Sequence, residues 1–209
     1  MQHDPSIKNL IFDLGGVILD LSVDKTMQQF AALSGLKKEK VNEIYTSIPG
    51  FEEYERGLMN DADFRNFVRD VFSVNSTDEQ IDVCWNAMLL GFSLSKLALI
   101  ERLKKDFSVY LLSNTNNIHL NYINQIMLPG IIDNGNSLDS YFHRAYYSHI
   151  MKKRKPNADI FEQVLMENSL KADETLFLDD NLPNIEGAKQ LGIRTVHVNT
   201  PDLILNYFS

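Results

Sequence analysis

The 209-residue sequence predicts an α/β fold: a mainly parallel sheet covered by helices, interrupted after its first strand by a small all-helical insert. Short continuous apolar runs alternate with stretches of helical spacing over most of the chain, which is typical of buried parallel strands. The region 21–91 has helical spacing without such a run. Apolar residues make up 44% of the chain, which is enough to bury a core.

Five apolar runs predict the strands of the sheet, and the first precedes the insert while the others follow it. They are Leu10 to Phe12, Val109 to Leu112, Ala145 to Tyr147, Thr175 to Leu178 and Arg194 to Val198. Three apolar stripes with helical spacing lie between the later runs, at 94–103, 160–165 and 185–191. Strands that alternate with helices in this way indicate a parallel sheet.

The insert, residues 21–91, predicts four short helices, and residues 1–20 with 92–209 form the core. The first helix ends at Gly35 and the second near Pro49-Gly50. Asn60 with Asp63 begins the third, and a capping box of Thr77 with Gln80 begins the fourth. Four aromatic residues could line a pocket, but their spacing favours the insert's own core: Phe64, Phe67, Phe72 and Trp85.

Charge and composition narrow the class of partner. The net charge is −8 and no block of Lys or Arg occurs, which argues against nucleic acid or an anionic membrane. The single cysteine, Cys84, cannot form an intramolecular disulfide. No run approaches the ~20 apolar residues of a membrane span, and the first residues lack a secretory pattern. We therefore expect a cytoplasmic protein that binds small molecules, as a monomer or homodimer.

The first candidate motif is Asp13 followed by Leu14, Gly15 and Gly16, directly after the first apolar run. A carboxylate at the carboxyl end of a buried strand lies where open α/β folds bind ligands. The glycines allow the backbone to approach a charged group. Taken alone, the segment is equally compatible with a tight turn that bears a solvated aspartate.

The second motif is Ser113-Asn114-Thr115, after the second run. A hydroxyl and the following backbone N–H groups can hold phosphoryl oxygens there. A helix N-cap is the simpler interpretation of this segment on its own.

The third motif is Lys155 followed by Pro156, at the start of a predicted helix. A lysine fixed at such a position can neutralise both an attacking carboxylate and a phosphoryl group. The alternative is a solvated basic turn shared with Lys152 and Lys153.

The fourth motif is the pair Asp179-Asp180, at the end of the fourth run. Two adjacent carboxylates are unfavourable without a compensating cation, and hard oxygen ligands suit Mg²⁺. The alternative is a helix N-terminus that carries acidic residues.

In this order, the four motifs resemble the signature motifs of the haloacid dehalogenase-like superfamily, and the resemblance extends from Asp13 to Gly192. It implies a Rossmann-like three-layer core in which the strands of the first and fourth motifs are neighbours, so that Asp13 and Asp180 meet. It also implies that the insert is the family's helical cap, in which the stretch 54–57, Tyr-Glu-Arg-Gly, is recurrent.

The resemblance further implies a reaction. Asp13 would attack the phosphorus of a small phosphorylated metabolite, such as a sugar phosphate, and water would hydrolyse the resulting aspartyl-phosphate. Mg²⁺ would be held by the Asp13 and Asp180 carboxylates and the Gly15 carbonyl, with Asp179 binding directly or through water. No organic cofactor is implied.

The resemblance also assigns the groups that would bind substrate. Ser113 and the backbone near Asn114 would hold phosphoryl oxygens, while Lys155 would pair with both Asp13 and the phosphate. The remaining candidates for substrate binding are Gly15, Gly16 and Arg56.

Position 15 departs from the family pattern. Phosphatases of the family carry a second Asp two residues after the nucleophile as general acid–base, and here that residue is Gly15. General acid–base assistance contributes ~10²–10⁴-fold, so its loss predicts a slower enzyme. Asp20 could replace it only if the chain turned back, and a helix-capping role is the preferred interpretation.

Three functions remain open. The first is a phosphatase in which another group takes over proton transfer. A subgroup of sugar-phosphate phosphatases with a similar Asp-Leu-Gly-Asn-Val motif at this position favours it. A hydrolytic dehalogenase also lacks the second Asp, but Asp179-Asp180 argues against it because attack on a haloacid needs no metal. A catalytically weak or inactive protein that binds a metabolite or partner is the third.

The roles of several residues outside the four motifs are less specific. Glu55 and Arg56 could reach a substrate hydroxyl or distal anion, or form a surface ion pair. The scattered histidines show no metal-like spacing and are interpreted as surface or strand-end residues: His119, His143, His149 and His197. The segment 201–209 predicts a last short helix or a contact with another chain.

Overall fold

A computed structural model describes residues 4–132, 135 and 137–209, and its core is built on a five-stranded parallel sheet. The strands lie in the order β5-β4-β1-β6-β7, where β1 is Asn9–Phe12, β4 Ser108–Ser113, β5 Arg144–Tyr147, β6 Thr175–Asp179 and β7 Arg194–His197. All five predicted runs are therefore strands. In the register, Leu10 is opposite Val109 on one side and Leu176 on the other. The predicted α/β class is confirmed.

Alternate residues of each strand face opposite sides of the sheet, and both faces are covered. Leu10 and Phe12 of β1 pack in one apolar cluster, with residues of α6 (Leu94–Leu103), while Ile11 packs in another. That second cluster contains α10 (Ala158–Glu167) and α11 (Leu182–Gln190). Helices on both faces of a parallel sheet make the three layers that the resemblance implied.

Between the second and third core strands, the chain forms shorter helices. These are α7 (Asn117–Tyr122), a π-helix (Ile123–Met127), α8 (Leu128–Ile131), a 3-10 helix (Leu138–Tyr141) and, after β5, α9 (Ser148–Met151). A further 3-10 turn, Ala172–Glu174, leads into β6.

The insert contains five helices rather than the four predicted: α1 (Val23–Ser34), α2 (Lys38–Ser47), α3 (Gly50–Glu55), α4 (Asp61–Phe72) and α5 (Asp78–Asn86). The additional helix is α3, which begins at the glycine expected to end α2. The predicted caps are present: Gly35 is left-handed after α1, and Thr77 with Gln80 forms a capping box on α5.

Two short strands flank the insert and pair with each other. β2 (Leu19–Leu21) and β3 (Leu89–Phe92) form an antiparallel ribbon that both connections to the core pass through. Asp20 of β2 forms an ion pair with Lys96 of α6, in which Oδ1 lies 2.9 Å from Nζ. The Lys96 side chain is only 2% exposed. Asp20 is therefore not a helix cap, because Ser22 occupies that position for α1.

The aromatic residues of the insert form its own apolar cluster, with Phe64 and Trp85 fully buried at its centre. This agrees with a structural role rather than a pocket lining. The cluster also includes Ile118 of α7. The boundaries at residues 21 and 91 stay a prediction, which the separate cluster supports.

The last residues pack on the core. Helix α12 (Leu203–Tyr207) buries Ile204, and the Phe208 ring lies 6.1 Å from that of Phe12. The guanidinium of Arg102 in α6 donates to the carbonyl of Phe208 at 2.7 Å. Across the described ranges, 4–132, 135 and 137–209, no helix has the length and apolar character needed to cross a membrane.

Candidate active site

Three neighbouring strands end in polar residues at one edge of the sheet. Asp13 follows β1, Ser113 ends β4, and Asp179 ends β6. Because β1 lies between β4 and β6 and all three run parallel, these side chains share the carboxyl edge. After β1, the chain adds β4 and β5 on one side of that strand and then β6 and β7 on the other. This reversal makes the carboxyl edge a topological switch point, where α/β folds bind ligands.

Lys155 lies at the centre of this edge and is 1% exposed. Its ammonium donates to Asp13 Oδ1 at 2.8 Å, to Asp179 Oδ2 at 2.7 Å and to the Leu112 carbonyl at 2.8 Å. An ammonium has three protons, so each is used within the site. Lys155 is thus a buried, paired cation and not part of a solvated basic turn.

The backbone of Lys155 is held as firmly as its side chain. The amide of Asn114 both accepts from the Lys155 N–H and donates to the Lys155 carbonyl, each at 3.0 Å. On another side, Gly187 of α11 approaches so closely that a Cβ there would overlap the Pro156 carbonyl. The side chain of Asn114 therefore positions Lys155, which the sequence did not reveal.

The two adjacent acids have different surroundings. Asp179 is fully buried, and its Oδ1 accepts from the Asn181 N–H at 2.8 Å and from the Asn184 amide at 3.1 Å. Its Oδ2 accepts from Lys155. Asp180, by contrast, is exposed at the surface of the edge. Asp179 therefore orients Lys155, while Asp180 is available to a ligand.

The residues present fit a divalent cation. Asp13, Asp179 and Asp180 each offer a carboxylate oxygen within 4.8 Å of the others. Gly16 has a left-handed φ of 73°, and a Cβ there would overlap Asp180 Oδ2. Only glycine at position 16 leaves room for the Asp180 carboxylate. Three carboxylates beside one ammonium leave excess negative charge, which a hard cation such as Mg²⁺ compensates.

The charges at this edge change one another's proton affinity. Burial raises the pKa of Asp13 to about 7, while the Lys155 ammonium opposes the increase and the Asp179 carboxylate adds to it. Burial alone would lower the pKa of Lys155, but Asp13 and Asp179 raise it above its ordinary value. Burial and Asp179 also raise the pKa of Asp180. The site holds an ammonium and attracts further positive charge.

Ser113 and Gly15 complete the edge. Ser113 is 2% exposed at the end of β4. Gly15 forms a bridge with Leu19, and a Cβ at position 15 would lie 3.2 Å from Leu21 Cδ2. The ribbon strand β2 thus occupies the space beside Gly15. Asp20 on the same strand is bound to Lys96 and makes no hydrogen bond to Asp13 within the described part of the chain.

Glu55 and Arg56, the two residues of the insert that could contact a substrate, each form an ion pair. Arg56 forms an ion pair with Glu52 on its own helix at 2.7 Å and is 36% exposed. Its neighbour Glu55 instead reaches the core and accepts from Arg154 Nε at 3.0 Å. The structure brings Asp13, Asn114 and Lys155 together but pairs Arg56 within the insert, so its substrate-binding role stays a prediction.

Besides the role of the Asn114 side chain, three features of the site were not predicted: the contact of the Leu112 carbonyl, that of the Asn184 amide, and the Glu55–Arg154 pair. Asn184 lies five residues after Asp179 and could have been found, because a helix that starts at Asn181 places it back against the strand end. The other two depend on contacts between distant segments, for which the sequence has no local signal.

Comparison with known proteins identifies similar chains. A family profile described as haloacid dehalogenase-like hydrolase matches residues 7–192. A curated relative from Bacteroides thetaiotaomicron, named D-ribitol-5-phosphate phosphatase, is 33% identical over 189 residues, which are 90% of this chain and 90% of that protein.

Two solved structures are similar over most of their length. A HAD family enzyme from Bacteroides thetaiotaomicron, in complex with magnesium and inorganic phosphate, has a TM-score of 0.82 and 34% identity, and the match covers 91% of this chain and 93% of that one. A HAD-like family hydrolase from Porphyromonas gingivalis has a TM-score of 0.83 and 31% identity, with 91% and 90% covered.

Proposed function

The chain belongs to the haloacid dehalogenase-like hydrolases, and we propose that within this family it is a magnesium-dependent phosphatase of a small sugar or alditol phosphate, with Asp13 as nucleophile. The observation that supports this most directly is the buried contact of Lys155 with Asp13 and Asp179, beside the exposed carboxylate of Asp180. That arrangement fixes the carboxylate of the nucleophile. The excess negative charge of the carboxylates attracts a cation, and the ammonium of Lys155 is positioned to attract a phosphoryl group.

The proposed reaction begins with attack of the Asp13 carboxylate on phosphorus. Lys155 binds Oδ1 of this carboxylate and so fixes its orientation. The P–O ester bond breaks, the leaving oxygen takes a proton from solvent to become the alcohol, and an aspartyl-phosphate forms. Water then attacks that phosphorus, which releases phosphate and restores Asp13.

The roles of the other groups follow from their positions. Ser113 and the peptide N–H of Asn114 bind phosphoryl oxygens at the end of β4, and Lys155 stabilises charge on the phosphoryl group as well as on Asp13. Mg²⁺ would be held by Asp13, Asp180 and the Gly15 carbonyl, with Asp179 in contact directly or through water. When bound there, the ion would neutralise charge at the transferred group.

The choice of substrate class rests on the similarity to relatives. The relative named D-ribitol-5-phosphate phosphatase covers nearly the whole chain. A related enzyme was crystallised with both magnesium and inorganic phosphate, which supports the same pair of ligands at the edge described here.

The deciding experiment is phosphate release by purified protein from a panel of sugar and alditol phosphates that includes D-ribitol 5-phosphate, with Mg²⁺ or with a chelator. We expect release that requires Mg²⁺ and is abolished in Asp13→Asn. Asp159→Asn, which changes an exposed acid of α10, serves as the matched control and should retain activity.

Two outcomes would overturn the proposal. Release that persists in Asp13→Asn would exclude this aspartate as nucleophile. Background release from every substrate would favour the alternatives, and chloride release from 2-haloacids would then separate a dehalogenase from a binding protein.

A further inference from the structure

Glu55 and Arg154 form an ion pair between the insert and the turn that carries Lys155. Glu55 ends α3, and its Oε2 accepts from Arg154 Nε at 3.0 Å. The two side chains are only 19% and 29% exposed. Burial raises the pKa of Glu55, and Arg154 opposes that increase. The pair is therefore partly withdrawn from water, unlike the more exposed Arg56–Glu52 pair on the same helix.

The end of α3 contacts the core through the backbone as well. Ser148 Oγ donates to the Glu55 carbonyl at 2.6 Å, and Lys152 Nζ donates to the Gly57 carbonyl. Gly57 has a left-handed φ of 64°, and a Cβ there would overlap the His149 carbonyl. All these core partners lie in the segment 148–154, which leads directly to Lys155.

Arg154 transmits this contact to the Lys155 peptide. Its Nη1 donates to the Lys155 carbonyl at 3.3 Å, and Asn114 donates to the same oxygen. The peptide is thus held by a core side chain on one side and by an arginine oriented from the insert on the other. Since all three acceptors of the Lys155 ammonium are fixed in the core, a shift of this peptide would change its distances to Asp13 and Asp179.

We propose that Glu55 is a positioning residue: by orienting Arg154, it fixes the Lys155 peptide and couples the placement of the insert to the alignment of Lys155 with Asp13. The kinetic consequence rests on the proposed phosphatase function, whereas the structural consequence does not. Glu55 acts through Arg154 and need not touch the substrate. Without Glu55, the Arg154 guanidinium loses its compensating charge in a partly buried position and leaves the Lys155 carbonyl.

The test compares Glu55→Gln with Glu53→Gln, which removes an exposed charge from the same helix. Amide hydrogen exchange is measured on peptides covering 148–156, with no substrate added. We expect faster exchange there in Glu55→Gln, by about tenfold, and no change in Glu53→Gln. With a small aryl phosphate and Mg²⁺, we expect kcat of Glu55→Gln to fall by about ten- to a hundredfold while KM changes little.

Arg154→Lys provides a second variant that keeps the positive charge but removes the planar guanidinium. Its single nitrogen cannot occupy both positions that Nε and Nη1 of Arg154 hold against Glu55 and the Lys155 carbonyl, so we expect the same increase in exchange and the same selective loss of kcat. If Glu55→Gln does not fold, this variant decides the question.

Equal exchange over 148–156 in Glu55→Gln, Arg154→Lys and wild type would overturn the proposal, whatever the activity. A loss confined to KM would also overturn it, because that would indicate direct substrate binding by Glu55. If wild type releases no phosphate from the aryl phosphate or from any substrate of the panel, the phosphatase proposal fails, and the exchange measurement still decides the positioning role.

Discussion

At the scale of single residues, charge balance is the strongest constraint on this site. Lys155 Nζ contacts Asp13 and Asp179, and Asp180 adds a third carboxylate nearby. A buried ammonium surrounded by acids is stable only when its hydrogen bonds are complete, as they are here. The remaining negative charge makes metal affinity and proton affinity compete at the same oxygens.

That competition predicts how magnesium acts at different pH. The pKa of Asp13 in the folded chain, about 7, lies above its unfolded value of 3.8, so the folded state keeps a proton that the unfolded state has lost. Without metal, this group therefore makes the protein less stable as pH rises through that window. Because Mg²⁺ binds the ionised carboxylate, we expect its stabilising effect to grow as pH rises from about 6 to about 8.

The measurement is Tm with Mg²⁺ and with a chelator across that range. The same titration of Asp13→Asn should show little dependence of the Mg²⁺ effect on pH. A constant Mg²⁺ effect in the wild type would indicate that Asp13 is already ionised throughout.

Position 15 allows a gain-of-function experiment. Gly15 is not among the glycines with positive φ, and the nearest obstacle to a side chain is the flexible end of Leu21. Gly15→Asp combined with Leu21→Ala would place a carboxyl where the family pattern has one. We expect kcat to rise by about 10²–10⁴-fold, the usual contribution of a general acid–base.

Gly15→Asn with Leu21→Ala is the matched control, since it has the same size and no carboxyl proton. It should show no gain in kcat. An unchanged rate in the Asp variant would show that another group already supplies the proton in the wild type.

Two residues show what sequence reasoning could and could not predict at this scale. The position of Asp13 at the end of a buried strand was identifiable, because an apolar run followed by an acid and two glycines is a pattern that a few consecutive residues display. The burial of His119 was not identifiable. The sequence predicts a surface or strand-end residue, whereas the structure buries it in α7, with its ring centroid 4.9 Å from that of Trp85. The partner that removes it from water is 34 positions away in sequence.

At the scale of elements, periodicity predicted the long segments and failed for the short ones. The core strands appear as continuous apolar runs because both faces are buried. Helix α3 has only six residues, beginning at Gly50, too few to display a helical period. The ribbon of β2 and β3 pairs residues about seventy positions apart, so neither strand is identifiable without its partner.

The packing of α11 on the Lys155 turn predicts an unusual cost for a helical Gly→Ala change. In an open helix, alanine is better than glycine by about 1 kcal/mol. At Gly187, a Cβ would overlap the Pro156 carbonyl, and overpacking costs about 1–3 kcal/mol, so the overlap outweighs the helical gain. We expect Gly187→Ala to lower both Tm and kcat.

Gly130→Ala in α8 is the control, because a Cβ there meets nothing within 4 Å. It should leave Tm unchanged or slightly higher, as measured by thermal denaturation. A Gly187→Ala protein as stable and active as Gly130→Ala would show that the turn at Pro156 can move without affecting Lys155.

At the scale of the whole molecule, buried polar contacts join the insert to the core. Trp85 of α5 donates from Nε1 to Asn116 at 3.2 Å, and the His119 ring contacts the Trp85 carbonyl at 3.1 Å. At the surface, the Asn117 amide also donates to Asp61 of α4, at 2.7 Å. The order of the four motifs predicted the family and the location of the site, but these contacts are what set the insert against it, and they belong to segments that are far apart in sequence.

His119 makes this junction sensitive to acid. Burial lowers its pKa from 6.5 to about 4, and its contact with the Trp85 carbonyl only partly offsets this. The unfolded chain therefore binds a proton at His119 over a range where the folded chain does not, so stability falls as pH falls from 6.5 to about 4. The effect reaches about 3 kcal/mol at the lower end, a large part of the stability of a typical domain.

Urea denaturation of wild type and His119→Gln at several pH values between those limits isolates this contribution, because carboxylates common to both proteins cancel in the difference. At neutral pH we expect His119→Gln to be less stable, since it loses the ring stacked on Trp85. That difference should shrink steadily toward pH 4, because only the wild type has a histidine to protonate. A stability difference that stays constant with pH would mean that His119 does not titrate at the junction, and that acid acts on the insert and the core through other groups.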